Sequence, residues 1–158
     1  MARLHYRITC LREDLLHKLT TRLADSYGII GAETLNLKGL LKNRRLARSF
    51  ADASLGTLVR QLEAKVTQRG GQFIKVDRFF PSSKTCHCCG WQWEDMTLKD
   101  RVFLCQNPSC PYAQFPQDRD HNAGQNVLRE ALRLIGLLDQ VVSGTGSDED
   151  VNLAVDAG

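Results

Sequence analysis

Apolar residues recur every three or four positions along the first 26 residues, a spacing that predicts an amphipathic helix. Tyr27 and Gly28 end this helix, and the apolar run 29–33 after it is of the kind that forms a buried strand. The run closes on a carboxylate, Glu33. The stripe of the helix consists of Leu4, Ile8, Leu11, Leu15, Leu19 and Leu23.

A second helical pattern follows Ser54, which we expect to be its N-cap, and Gly70 and Gly71 are the expected stop. Residues 73–77 then read as a strand. A helix between two strands predicts an α/β crossover with a partly parallel sheet. A third helix is predicted after Asp120, and its strongly apolar stripe must be buried on that sheet. The stripe consists of Ala123, Val127, Leu128, Ala131, Leu132, Ile135 and Leu138.

Four cysteines in two pairs lie between the second strand and the third helix. Cys86 and Cys89 form a C-x-x-C turn, and Cys105 and Cys110 form a second turn after a hairpin-length spacer. Two thiolate-bearing turns offer the four ligands of tetrahedral Zn(II). A redox C-x-x-C would not require a second pair, and the sequence signature of a zinc deaminase is absent. Because four thiolates close the coordination shell, the predicted ion is structural and Cys88 is a bystander.

Composition and charge limit the class of protein and the cellular compartment that we expect. The chain has 158 residues with 42% hydrophobic content, enough for an ordinary core, and a formal charge of +3. No apolar run reaches the length of a membrane span and no signal peptide is evident, so we expect a cytoplasmic protein without membrane contact. In a reducing cytosol, metal explains the cysteines better than disulfides do. Residues 143–158 have the composition of a disordered acidic tail.

Basic residues are concentrated in the front part of the chain, which favours a polyanionic partner. The basic face of the first helix is more simply explained as solvated than as a nucleic-acid contact. A basic stretch at 42–48 has too few apolar residues for a core and could equally lie against phosphates or face solvent. Its candidate nucleic-acid-binding residues are Lys42, Arg44, Arg45 and Arg48.

Two carboxylates form a weaker candidate site. Glu33 ends a predicted buried strand, where a charge is costly unless it is paired, and Asp120 begins a helix. Together they could share a divalent cation, although Asp120 alone is better explained as an N-cap. Asn122 and Asn126 are four residues apart and face one side of the helix, where they could orient a ligand or merely cap and solvate it.

Three motifs together resemble one known family. They are residues 33–47 (ETLNLKGLLKNRRLA), 80–86 (FPSSKTC) and 118–128 (DRDHNAGQNVL). They resemble the C-terminal half of the OrfB/TnpB family of insertion-sequence transposases, which are related to the nuclease half of type V CRISPR effectors. The resemblance runs in the family's order from about the first helix to Leu128.

The resemblance implies an RNase H-like, RuvC-type nuclease domain with an inserted zinc ribbon, acting on DNA with Mg(II) and a guide RNA. Glu33 would match the second catalytic carboxylate and Asp120 the third, with Asp118 less favoured. The second cysteine pair is wider than is usual in the family, which leaves Cys110 the least secure ribbon ligand. The implied organisation is a partial RuvC-like domain at 1–80, the ribbon at 81–116, a C-terminal RuvC-like segment at 117–140 and the tail at 141–158.

The family's first catalytic Asp and its guide-binding N-terminal part have no counterpart here, since Asp25, Asp52 and Asp77 lie in no matching motif. We therefore expect a truncated endonuclease that is inactive alone and depends on an upstream fragment of the same element. The alternative is a zinc-ribbon protein that binds nucleic acid without chemistry.

Overall fold

The computed structural model describes residues 2–34, 54–97 and 99–137. These residues form an α/β arrangement, as the sequence predicts, and none of their helices is long and apolar enough to cross a membrane. The basic stretch 42–48 and the acidic tail lie outside the described residues. The elements are α1 (Ala2–Ser26), β1 (Ile29–Glu33), α2 (Leu55–Gln68), β2 (Gln72–Val76), a short 3-10 helix (Ser82–Lys84), β3 (Val102–Phe103), β4 (Gln117–Asp118) and α3 (Arg119–Leu134).

The described residues divide into two compact units. The first unit combines the chain up to Ile30 with the part from Thr34 to Ile74. The second unit combines Gly31–Glu33 with the chain from Lys75 onward. The end of β1 therefore belongs to the same unit as the cysteine-rich segment and α3.

The core of the first unit lies between α1 and α2. Ala24, Leu62 and Val66 are buried there, and Ile30 and Phe73 pack against them. The two helices are also joined by polar contacts: the Lys65 ammonium donates hydrogen bonds to the hydroxyls of Thr20 and Thr21 (2.8 Å each) and to the carbonyl of His17 (2.7 Å).

Of the apolar stripe of α1, Leu23 packs against the core, but most of the other members are exposed. Leu4 is 59% exposed, Leu11 61% and Leu15 65%, whereas the buried residues of the helix are Leu16, Thr20 and Ala24. The reason is geometric: α2 has 14 residues against 25 in α1, and it covers the C-terminal half of α1 along the face of the i, i+4 row. The predicted helix is thus confirmed, but most of its apolar stripe is exposed and its buried residues lie on a neighbouring row.

The boundaries of α2 follow the sequence only in part. Ser54 stands at the N-cap position, but it adopts a left-handed conformation (φ 50°) and its side chain makes no capping hydrogen bond. Its carbonyl instead accepts the amides of Thr57 (2.9 Å) and Leu58 (3.0 Å). At the other end Gly70, with φ +78°, stops the helix as predicted.

Strands β1 and β2 form a two-stranded sheet. The Gln72 amide donates to the Gly28 carbonyl (2.8 Å), which sets the starts of the two strands side by side. Adjacent starts are the arrangement of parallel strands, and α2 is the crossover between them. This agrees with the crossover that the sequence predicts.

The second unit has a core built around the cysteines. Trp91 and Trp93 each meet Phe103 edge-on, at centroid distances of 6.2 and 6.0 Å. Met96, which the sequence did not single out, is buried beside them. Strands β3 and β4 pair antiparallel, with Val102 opposite Asp118. The buried members of this cluster are Cys86, Met96, Phe103, Cys105 and Cys110.

Helix α3 lies against the end of β1, but the stripe expected to be buried there is buried only at Val127 and Ala131. Ala123, Leu128 and Leu132 are partly buried, Ile135 follows the end of the helix, and Leu138 lies outside the described residues. A Cβ atom on Gly31 would lie 2.9 Å from the Cβ of Ala131 and 3.4 Å from the Val127 carbonyl oxygen. Real Cβ atoms do not approach other heavy atoms that closely. The absence of a side chain at Gly31 therefore sets the distance between strand and helix.

We expect Gly31→Ala to lower the free energy of unfolding by about 1–3 kcal/mol, because the added methyl group overpacks the contact with Ala131. Gly28→Ala is the matched control: a Cβ there meets nothing within 4 Å, and we expect a change within about 0.5 kcal/mol. Urea denaturation of both variants measures the difference. Equal stabilities would show that strand and helix are not in close contact.

Candidate metal centre and carboxylate site

The four paired cysteines converge on one point. Their sulfur atoms all lie within 4.8 Å of one another, with Cys86 3.8 Å from Cys110 and Cys89 3.6 Å from Cys105. A disulfide requires about 2.05 Å between sulfurs. A tetrahedral ion with metal–sulfur bonds of about 2.3 Å places its ligands about 3.8 Å apart. The sulfurs therefore have the spacing of a tetrahedral thiolate site that could hold a metal ion, with Cys110 included.

Each pair is presented by a turn with its own backbone hydrogen bonds. In the first turn the Cys86 amide donates to the Trp91 carbonyl (2.7 Å) and the Gly90 amide to the Cys86 carbonyl (2.9 Å). Gly90 has φ +76°, a conformation that favours glycine. In the second turn the Cys110 amide donates to the Asn107 carbonyl (3.0 Å), so the wider loop closes on itself and still delivers its sulfur.

The pKa values of the thiols differ. Burial raises the pKa of Cys105 to about 12 and also raises the pKa of Cys86. For Cys89 burial acts in the same direction, but hydrogen bonds from the Trp91 amide and from the Asn107 side chain bring its pKa to about 7. Without a cation the raised pKa values of Cys86 and Cys105 favour the protonated form of these two thiols. A divalent cation would reverse this preference, because thiolates are the ligand form.

The first turn contains two further side chains that could bind a metal, those of His87 and Cys88, and neither is in the group of converging sulfurs. Cys88 lies beside the cluster without belonging to the group of converging sulfurs. His87 binds Asn122 twice: its amide and its Nδ1 lie 3.0 and 3.1 Å from the Asn122 Oδ1 atom. Its ring also contacts Tyr112 at a centroid distance of 5.0 Å.

Asn122 and Asn126 hold the segment before the first cysteine pair. Both are buried, at 0% and 4% exposure. The Asn126 amide nitrogen donates to the carbonyls of Ser82 (2.8 Å) and Thr85 (2.6 Å), and that of Asn122 donates to Thr85 (2.7 Å). They neither cap the helix nor point to solvent, so those expectations are wrong. Their partners are backbone groups, which fix residues 82–87 to α3.

Glu33 is exposed at the end of β1, so the desolvation cost expected for a buried carboxylate does not arise. Its Oε1 atom accepts a hydrogen bond from the hydroxyl of Ser82, which is buried (5% exposed). Sequence reasoning missed Ser82, since a serine within a Pro-Ser-Ser run is typical of a solvent-exposed turn. The signal was its place in the 80–86 motif.

The two aspartates at the start of α3 have different roles. Asp118 is the N-cap: its Oδ1 accepts the amides of Asp120 (2.9 Å) and His121 (2.8 Å). The expectation that Asp120 caps the helix is therefore wrong. Asp120 lies in the first turn with its side chain 64% exposed, and its Oδ1 accepts hydrogen bonds from Arg119 Nε (3.0 Å) and Nη2 (2.9 Å).

Glu33 and Asp120 lie in the same compact unit. Among the described residues, the four cysteines are the group of three or more His, Cys, Asp or Glu side chains close enough to hold one ion, and neither carboxylate is in it. The candidate nucleic-acid-binding residues Lys42, Arg44, Arg45 and Arg48 lie outside the described residues.

We expect Asp118→Ala to lower the free energy of unfolding by about 1 kcal/mol, because the first two free amides of α3 lose their acceptor. Asp120→Asn is the matched control: the exposed side chain keeps an oxygen acceptor for Arg119, and the expected change is within about 0.5 kcal/mol. Thermal and urea unfolding measure both. A larger loss for Asp120→Asn would reassign the cap.

Comparison with known proteins gives a consistent result. Residues 56–127 match the family described as Cas12f1-like, TNB domain. A candidate RNA-guided DNA endonuclease of Streptomyces pristinaespiralis is 39% identical over 132 residues, which cover 84% of this chain and 31% of that protein. One of Mycobacterium tuberculosis is 36% identical over 141 residues, covering 82% of this chain and 28% of that protein.

A TnpB-like protein of Acanthamoeba polyphaga mimivirus is also similar, at 27% identity over 136 residues, which cover 82% of this chain and 24% of that protein. The chain thus spans about a third or less of the length of these relatives. Their similarity extends across most of this chain, and the family match at residues 56–127 includes the four-cysteine cluster. The chain is a member of the OrfB/TnpB family.

Proposed function

We propose that this chain supplies the C-terminal part of a RuvC-type, RNase H-like nuclease, with Glu33 and Asp120 as two of its metal-binding carboxylates. The observation that supports this most directly is the placement of both acids in one compact unit, one on a strand end and the other in the first turn of α3. Carboxylates presented from different elements of one compact unit can share divalent cations.

Glu33 is available to a hard cation, whereas one oxygen of Asp120 is already engaged by Arg119. Glu33 is exposed and has one oxygen engaged by Ser82, so an acidic ligand faces solvent. The Oδ1 atom of Asp120 is engaged by Arg119, and a cation would have to use its second oxygen or displace the guanidinium. Bound Mg(II) would stabilise charge on the oxygens of the scissile phosphate. Two acids are fewer than this chemistry uses, which favours a site completed by other polypeptide.

The activity of the intact protein is part of the same proposal. The relatives' names point to DNA cleavage directed by RNA, so we infer DNA and a guide RNA as partners. Lys42, Arg44, Arg45 and Arg48 are the proposed contacts to phosphate. The proposed organisation is a partial RuvC-like domain at 1–80, a zinc ribbon at 81–116, a RuvC-like segment at 117–140 and a tail at 141–158. Polypeptide outside residues 1–158 would supply the remaining acid.

We further propose that Cys86, Cys89, Cys105 and Cys110 bind a structural Zn(II). Four thiolates at tetrahedral spacing are the preferred ligand set of zinc and leave no open position for substrate. The surrounding core consists largely of the cysteines themselves with Phe103 and Met96. Such a small core depends on its ion for stability.

We expect purified chain to contain about one zinc ion, and Cys89→Ser to lose it. Cys88→Ser is the matched control from the same turn and should retain the metal, because its sulfur lies outside the converging set. Plasma emission spectrometry measures zinc content, and near-ultraviolet circular dichroism follows the packing of the two tryptophans. Full zinc content in Cys89→Ser, or unchanged dichroism after chelation, would reject the assignment.

For the nuclease proposal, we expect the isolated chain to leave DNA uncut in Mg(II). Co-expression with an upstream polypeptide that provides a strand ending in Asp, together with a guide RNA, should restore cleavage. Glu33→Gln and Asp120→Asn should then lower the cleavage rate by about 100-fold or more, since each removes a metal ligand worth several kcal/mol in the transition state.

Two outcomes would overturn this reading. Cleavage by the isolated chain that Glu33→Gln abolishes would show that the site needs no further polypeptide. Retained DNA or RNA binding, with no cleavage by the co-expressed pair, would favour a zinc-ribbon protein that binds nucleic acid without chemistry. Both outcomes are read from gel assays of labelled DNA.

A further inference from the structure

We propose that Ser82 is a positioning residue that orients the carboxylate of Glu33, and that Asn126 in turn fixes Ser82. The inference rests on the proposed function of Glu33 as a metal ligand. It adds a specific task for a buried serine and a buried asparagine that touch neither substrate nor metal. It also names the hydrogen bonds through which α3 orients an acid at the end of β1.

The hydrogen bond between Ser82 and Glu33 joins a buried side chain to an exposed one. Ser82 is buried at 5% exposure, whereas Glu33 is exposed at the end of its strand. A serine hydroxyl carries one proton, and here the proton is donated to the Glu33 Oε1 atom. A solvent-exposed glutamate otherwise samples several rotamers. The hydrogen bond therefore selects one of them.

Ser82 is itself held by α3. Its carbonyl accepts a hydrogen bond from the Asn126 amide nitrogen (2.8 Å), which also donates to the Thr85 carbonyl (2.6 Å). Asn122 donates to the same Thr85 carbonyl (2.7 Å), and the Thr85 hydroxyl closes the loop by donating to the Pro81 carbonyl (2.8 Å). Because both asparagines are buried, water does not compete for these bonds. The loop is thereby fixed on both sides of the serine.

Asp120 stands on the same helix, two residues before Asn122 and six before Asn126. An α-helix is stiff over so short a distance, so the position of Asp120 and the position of Ser82 are set by one rigid element. Cys86 follows Thr85 directly, and the metal-binding turn anchors the far end of the loop. The hydrogen bonds thus link the Glu33 carboxylate, through Ser82 and Asn126, to the helix that carries Asp120.

The experiment uses the full chain loaded with zinc and compares three serine variants. Ser82→Ala removes the hydroxyl, Ser82→Thr keeps it, and Ser83→Ala is the matched control at the neighbouring serine. Three-bond couplings measured by NMR report whether Glu33 holds one side-chain rotamer. Zinc content and the amide spectrum establish that each variant is folded.

We expect one rotamer for Glu33 in the wild type, Ser83→Ala and Ser82→Thr, and rotamer averaging in Ser82→Ala. Asn126→Ala should also cause averaging, although residue 126 does not touch Glu33, and a solely structural role would leave the Glu33 couplings unchanged. A single rotamer in folded Ser82→Ala would overturn the proposal. Should Ser82→Ala fail to fold, Glu33→Ala keeps the test decisive: the Ser82 hydroxyl proton should exchange with water about tenfold faster or more, and unchanged exchange contradicts the contact.

A titration with Mn(II) separates this inference from the proposed function. In the wild type Mn(II) should broaden the Glu33 signals, and Ser82→Ala should raise the concentration at half effect by about fivefold, the loss expected from one hydrogen bond. No broadening in the wild type, with averaging still confined to Ser82→Ala and Asn126→Ala, rejects metal binding by this chain alone and leaves the orientation of Glu33 supported. Broadening with equal midpoints in both proteins rejects the positioning role.

Discussion

Two buried side-chain amides, on Asn122 and Asn126, are the interaction on which the second unit depends. A buried amide that lacks a partner costs about 1–3 kcal/mol, so each must be satisfied for the helix to pack at all. Here their partners are backbone carbonyl and amide groups of residues 82–87. Apolar side chains at positions 122 and 126 could not form hydrogen bonds with these backbone groups. Helix α3 therefore recognises one loop conformation, and a purely hydrophobic contact would not impose that conformation.

The elements of the fold could largely be predicted from periodicity and turn residues. Helix α1 and strand β1 have the expected bounds, and the others begin or end within a few residues of them. The buried face of α1 could not be predicted, because it is decided by how far α2 extends along it. The cap of α2 also escaped prediction, since Ser54 adopts a left-handed conformation that no local pattern announces.

The candidate site was predictable where the chemistry is local. The spacing of the four cysteines already implied convergence, and the structure confirms it, because a turn that presents two sulfurs needs only a few neighbouring residues. The carboxylates were identified by motif. The contacts of Glu33 could not be predicted, because its partner Ser82 lies 49 residues away in sequence. The roles of the two aspartates could not be predicted either, because only the hydrogen bonds from the Asp120 and His121 amides identify Asp118 as the N-cap. Asn122 and Asn126 were noticed as a pair but not as buried groups, since amides are more often exposed.

The loop 82–87 serves three neighbours at once: Glu33, helix α3 and the thiolate cluster. Its length is consequently fixed, because one inserted residue would shift Cys86 relative to Ser82 and break two sets of contacts together. The second cysteine turn closes through its own backbone hydrogen bond from the Cys110 amide to the Asn107 carbonyl, and its Asn107 side chain also bonds Cys89 of the first turn. We therefore expect a change in length to be tolerated better between Cys105 and Cys110 than in the loop 82–87, where it would disturb the contacts to Glu33, to α3 and to the cysteines together.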